Sequence, residues 1–266
     1  MVQVPQRTAF SGPALIRLLA RLTDVDVSES SQSLSDRLSQ WLGWTDAIAL
    51  SSALNNNPPA VGAGTRAFND AEESECARVR TSLANAIAGD SVFAAARRRG
   101  PAAQAPAQGA PAEAPVDYKV FRQRYLAMQQ AMETGVGNLR GRLRAMLAAQ
   151  TPAMARLAVV DAVMERALSE RERNLLAAVP GLLAGHFERL REAEQQALAG
   201  AEASTDAAAT TAATATTPAA PVAIAPAVMP GAWLDTFRKD MQSVLLAELD
   251  VRLQPVDGLL AALRTR

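Results

Sequence analysis

Residues 118–148 read YKVFRQRYLAMQQAMETGVGNLRGRLRAMLA, and residues 151–179 read TPAMARLAVVDAVMERALSERERNLLAAV. In the first stretch Tyr118, Phe121, Tyr125, Met128, Met132, Val136, Leu139, Leu143 and Met146 step by threes and fours. In the second, Leu157, Val160, Met164, Leu168, Leu175 and Val179 do the same. That recurrence keeps one face of a helix apolar. Thr151-Pro152 places a capping hydroxyl before a proline at the first helical position, so one helix ends near Gln150 and another starts. Two striped helices joined by a short turn predict an antiparallel helical hairpin, coiled-coil in character. The double step of four from Met128 through Met132 to Val136 shifts the heptad phase as a stutter does. Gly135, Gly137 and Gly141 each weaken the helix by up to about 1 kcal/mol relative to alanine, so it depends on its neighbours.

The charges flanking the two stripes differ in sign. Lys119, Arg122, Arg140 and Arg144 fall beside the first stripe, and Asp161, Glu165 and Glu172 beside the second. Opposite charges along two facing seams set the pairing of side-by-side helices. Residues 117–149 carry six basic and two acidic side chains, and Arg97-Arg98-Arg99 adds a basic cluster. The alternative is therefore a nucleic-acid-binding or regulatory module that uses the basic face of 117–149. Helix–helix pairing is the reading adopted.

Around the hairpin the chain divides into segments. Residues 8–99 form an N-terminal helical domain. Ser11-Gly12-Pro13 starts a first helix and Ser33 a second, Gly43 interrupts the second before Trp44, and Asn55 to Pro59 ends it. A third helix covers Arg66 to Ala88, with Cys76, Val79, Leu83 and Ile87 on one side and its acids at the start, where the helix dipole favours them. Residues 100–116 and 200–230 are Ala-, Pro- and Thr-rich with almost no charge or apolar period, and read as disordered linkers. Residues 117–199 hold the hairpin and a third helix that follows Pro180-Gly181. Residues 231–264 carry Trp233, Phe237, Met241, Val244 and Leu245 on a tethered amphipathic helix. Gln254-Pro255 is expected to break it before a short last helix. A stripe that apolar docks on the body of the protein or on a partner.

Composition narrows the function classes. The 266-residue chain is 49% hydrophobic but only 4% aromatic, which suits alanine-rich helix packing, and its 27 basic and 27 acidic residues cancel. One cysteine, Cys76, cannot form an intramolecular disulfide. Met1 to Phe10 lacks a signal-peptide core, and no segment reaches the roughly 18–20 uncharged apolar residues of a membrane span. A cytoplasmic bacterial protein with no integral membrane segment is expected. His186, the single histidine, sits at the edge of an apolar stripe beside Phe187, where a packed structural role accounts for it. A triad or histidine-rich metal site would need further partners. The acids at Glu72-Glu73-Glu75 and Glu170/Glu172 lie among arginines on solvated faces, and no glycine run forms a phosphate cradle. Neither a catalytic residue, a metal site nor a cofactor is predicted.

Three blocks carry a family resemblance: Phe10-Ser-Gly-Pro with LSDRLSQWLGWTDAIAL (34–50), LAVVDAVMERALSERERNLLAAVPGLLAGHFERL (157–190) and WLDTFRKDMQSVLLAELDVRLQPVDGLLAAL (233–263). They resemble a proteobacterial domain-of-unknown-function family, DUF3348. The family has no assigned activity to carry over. Its genes tend to lie near membrane proteins of the flagellar-stator-like and OmpA-like types, which implies an accessory role in an envelope complex. The sequence thus predicts an all-α, non-enzymatic interaction or scaffold protein that binds protein partners and self-associates. The expected interaction seam is Tyr118, Phe121, Tyr125, Met128, Met132, Leu139, Leu143, Leu157, Val160, Met164, Leu168, Leu175, Trp233, Phe237 and Met241.

Overall fold

A computed structural model describes residues 12–24, 32–55, 70–94, 116–212 and 231–265. Among them are eight helices and no strand: α1 (Ala14–Thr23), α2 (Leu34–Trp41), α3 (Trp44–Asn55), α4 (Asp70–Ala88), α5 (Tyr118–Ala148), α6 (Pro152–Ala177), α7 (Val179–Ala212) and α8 (Ala232–Arg264). The protein is all-α. The linker expected at 100–116 lies almost wholly outside the described residues, as do 213–230 of the second linker.

Local chemistry sets the boundaries. The Ser33 hydroxyl accepts from Asp36 N to cap α2, and the Asp46 carboxylate accepts from Gly43 N where α2 gives way to α3. The Asp117 carboxylate caps α5, and the Thr151 hydroxyl caps α6 with Pro152 in its first turn. Ser11 lies outside the described residues, and α1 starts after Pro13 without a side-chain cap. The Glu194 carboxylate accepts from Gly231 N at 3.1 Å and so closes the start of α8, where Gly231 takes φ 84°, a conformation glycine adopts without penalty.

Two boundaries differ from the sequence reading. Helix α7 continues past residue 199 to Ala212, because alanine-rich sequence without proline before Pro218 propagates a helix already begun. Helix α8 runs through Pro255 as one element. Leu249, Leu253, Val256, Leu259, Leu260 and Leu263 are buried on both sides of the proline, and their packing outweighs the roughly 3 kcal/mol that an interior proline costs.

The bundle is organised on a parallel pair, α5 and α8, with Phe121 against Phe237 near their starts and Tyr125 and Gln129 against Glu248 further along. Three helices run antiparallel to this pair. On α4, Glu73 meets Arg264 and Arg80 meets Asp257. On α6, Asp161 meets Arg140 and Arg173 meets Glu133, so the predicted hairpin with α5 forms. On α7, His186 meets Asp240 and Glu194 meets the start of α8. Helix α8 therefore docks within its own chain. Residues of all three segments, from Leu15 through Phe121 to Leu263, join one continuous apolar cluster. Helices α2 and α3 contribute nothing to it, and α3 packs on the outer side of α6.

Candidate functional site

The centre of the bundle holds a carboxylate. Glu248 is fully buried, with 0% of its surface exposed, between the apolar turns of α8. It accepts from Tyr125 Oη at 2.8 Å, from Gln129 Nε2 at 3.0 Å and from Arg252 Nε at 2.9 Å. Gln129 Nε2 also donates to the Leu176 carbonyl at 3.1 Å, which carries the network onto the end of α6. Burial, and then the neighbouring Glu248 charge, push the Tyr125 hydroxyl far above the usual phenol range, so it stays a donor. An isolated buried charge is prohibitively costly, and here one cation and two neutral donors satisfy it.

Arg252 links this network to an open cleft of about 780 Å³ between α5, α6 and α8. Its apolar lining is Val136 from α5, Met164, Leu168 and Leu175 from α6, Val251 and Pro255 from α8, and Trp41 at one end. Pro255 has no N–H, so the Val251 carbonyl, one turn earlier in the cleft wall, loses its usual i+4 donor. The Arg171 guanidinium stacks over the Trp41 ring at 4.9 Å. Apart from Arg171, which rests on Trp41, the rim cations pair with acids: Arg140 with Asp161 and Glu165, Arg173 with Glu133, and Arg252 with Glu248 and Glu172. The cleft can therefore take an apolar surface, and its paired rim offers little attraction to a highly charged ligand.

The expected seam residues divide between core and cleft. On α5, Phe121, Tyr125, Met128, Met132, Leu139 and Leu143 are buried, and Tyr118 is half-buried with its hydroxyl donating to the Pro180 carbonyl. Burial raises that hydroxyl to a pKa of about 12. Phe237 and Met241 are buried, and Trp233 is half-buried against Phe187. The stripe on α6 is displaced. Leu157 and Leu175 are 41% and 61% exposed, and Val160, Met164 and Leu168 are half-buried, whereas Ala155, Ala158, Val163 and Leu176 are the buried residues. Ala158 and Leu176 join the continuous apolar cluster, and the small Ala158 permits a close approach, whereas Met164, Leu168 and Leu175 line the cleft.

Five of the six basic residues of 117–149 have acidic partners: Lys119 with Asp117, Arg124 with Asp90, Arg140 with Asp161, Arg142 with Glu75 and Arg144 with Glu165. The buried His186 shares a 2.9 Å hydrogen bond with Asp240 and lies 6.0 Å from the Phe237 ring, joining α7 to α8. Cys76 is buried, and desolvation holds its thiol above the usual range. Among the described residues no three His, Cys, Asp or Glu side chains gather as a metal site, and no helix is long and apolar enough to cross a membrane.

Sequence reasoning missed Gln129 and Glu248. The signal was present: Glu248 stands one turn after Val244 and Gln129 one turn after Tyr125, each on a stripe otherwise apolar. The model of the family described as protein of unknown function (DUF3348) matches residues 1–265. The chain belongs to this family. No curated protein and no solved structure matches the DUF3348 chain.

Proposed function

We propose that this DUF3348 protein is a non-enzymatic helical interaction protein, acting in the cytoplasm, whose α6–α8 cleft receives an apolar surface of a protein partner. The cleft carries the reading: it presents six aliphatic, methionine or proline side chains and one tryptophan beside a rim whose charges already have partners. A surface of that kind suits the apolar stripe of another helix. The gene setting implied by the family resemblance makes an envelope complex, with stator-like or OmpA-like members, the setting for that partner. The pairing of five α5 cations with acids argues against the nucleic-acid alternative, which needs those cations for phosphates.

Co-purification with the products of neighbouring genes tests this. The wild-type chain should retain a membrane-protein partner in high salt, and Leu168→Asp, which charges the cleft wall, should lose it while keeping its helical circular dichroism. Retention unaffected by Leu168→Asp, or a salt-sensitive shift with DNA or RNA in place of a protein, would replace the proposal.

A further inference from the structure

Helix α3 is a surface helix without a charged outer face. Its inner side, Ala49, Leu50 and Ala53, turns toward α6, and its only charged residue, Asp46, accepts from Gly43 N. The outer face consists of Trp44, Ala47, Ile48, Ser51, Ser52 and Asn55, with Leu54 at its edge. Trp44 is 81% exposed, Ile48 51% and Leu54 53%. Helices on a protein surface normally turn charge to water, whereas this face sets two large apolar residues, Trp44 and Ile48, among small and uncharged polar ones.

We propose that the outer face of α3 is the self-association surface of this protein, covered by α3 of a second copy in an antiparallel, two-fold pair. The proposal rests on the interaction-protein reading and names its partner as the same chain. Three features fit a second copy. The face is large in its first half, Trp44 and Ile48, and small in its second, Ser51 and Ser52, so an antiparallel copy sets each indole over the other's serines. A two-fold contact must be self-complementary, and this gradient of size makes it so. With no charge on the face, the two copies meet without like-charge repulsion. Trp44, Ile48 and Leu54 present on the order of 400 Å² of apolar surface. A standard interface covers about 800 Å² per partner, a little over half of it apolar.

Sedimentation velocity of the full chain over a wide concentration range tests the pairing. The wild type should pass from monomer to dimer, with Trp44 emission moving to the blue as the dimer forms. Trp44→Asp should weaken dimerisation by at least about thirtyfold, because a central tryptophan is the usual anchor of such a contact. Its melting temperature at low concentration should match the wild type, since the ring is in water in the monomer. Ser52→Arg, a charge among the small residues, should weaken the dimer likewise and serves if Trp44→Asp fails to fold. A wild-type chain that stays monomeric throughout overturns the proposal. So does a dimer that both variants leave intact; that second result would move self-association to another surface. Neither outcome touches capture of a partner at the cleft, which Leu168→Asp examines separately.

Discussion

Replacing Arg252 by methionine removes the one cation that, among the described residues, touches the Glu248 carboxylate directly, in a site where the two side chains are 9% and 0% exposed. Methionine keeps most of the volume, so packing changes little and the loss is electrostatic. The two hydrogen bonds from Tyr125 and Gln129 remain, but both donors are neutral. Breaking a buried pair by removing one partner costs about 3–5 kcal/mol, because an uncompensated charge stays behind. For a chain of this size that corresponds to roughly 6–20 °C in melting temperature. Glu248→Met is the milder change, since Arg252 retains Glu172 at 3.7 Å and borders the open cleft. It still leaves the Tyr125 hydroxyl without its acceptor, about 1–3 kcal/mol. Combining Glu248→Met, Arg252→Met and Tyr125→Phe removes charge, cation and orphan donor together and should recover most of the stability lost in Arg252→Met. Urea unfolding followed by circular dichroism gives each free energy. If Arg252→Met loses less than about 1 kcal/mol, or if the losses simply add, the carboxylate is not held as a buried, charge-coupled group.

Three further outcomes follow from the geometry. The chain has two tyrosines, both with raised pKa, Tyr118 at about 12 and Tyr125 higher still. Their folded values lie above the unfolded value near 10, so the stability they confer is complete below about pH 10 and is lost as pH rises toward 12. Tyrosinate absorbance should therefore appear only as the helical signal collapses; tyrosinate in a still-folded protein near pH 10 would contradict their burial. Arg140→Asp puts a third carboxylate beside Asp161 and Glu165 and should cost about 1–3 kcal/mol, with Asp161→Arg in the same chain restoring most of it. Absence of rescue in chemical denaturation would reject the hairpin register. Leu143→Asp, in the core, should unfold the protein, whereas Met164→Asp on the cleft wall should lower stability by less than half as much. Equal melting temperatures for the two would return Met164 to the core.

Local features were legible before the structure, and long-range ones were not. Periodicity gave α5 its buried face from Phe121 to Leu143, and the Thr151-Pro152 turn followed from capping chemistry. The opposite signs flanking the two stripes anticipated ion pairing between α5 and α6, which the structure makes through Arg140, Arg144, Asp161 and Glu165 but not through Lys119 or Glu172. A stripe reports that a helix has a partner but not which one. The pairing of α5 with α8, more than a hundred residues away at Tyr125–Glu248, is not specified by either helix alone: the polar Gln129 and Glu248 on their apolar stripes show that each has a partner, not that they share one. The error on α6 has a related cause. Large residues at Leu157, Met164 and Leu175 dominate a sequence pattern, yet the residues that join the core from α6 are Ala158, whose small size permits a close approach, and Leu176. Pro255 misleads in the opposite direction, because its penalty is local and the burial that outweighs it is spread over α8.

These differences also account for the surfaces that remain open. Helix α5 turns most of its apolar residues to four neighbours and adds only Val136 to the apolar cleft lining, while α6 is apolar around more of its circumference than the bundle covers. One margin of that excess lies under α3, and the other lines the cleft beside Val251 and Pro255. A proline and a helical stripe wider than its contact both weaken a structure taken alone, and both meet at the cleft. Sequences that only stabilise a bundle have no reason to keep the two together, since an alanine at 255 would restore a hydrogen bond and polar residues at 164 and 168 would suit the water they face. That coincidence of local disadvantages at one place is what favours the cleft, rather than the buried seam, in the interaction reading proposed above.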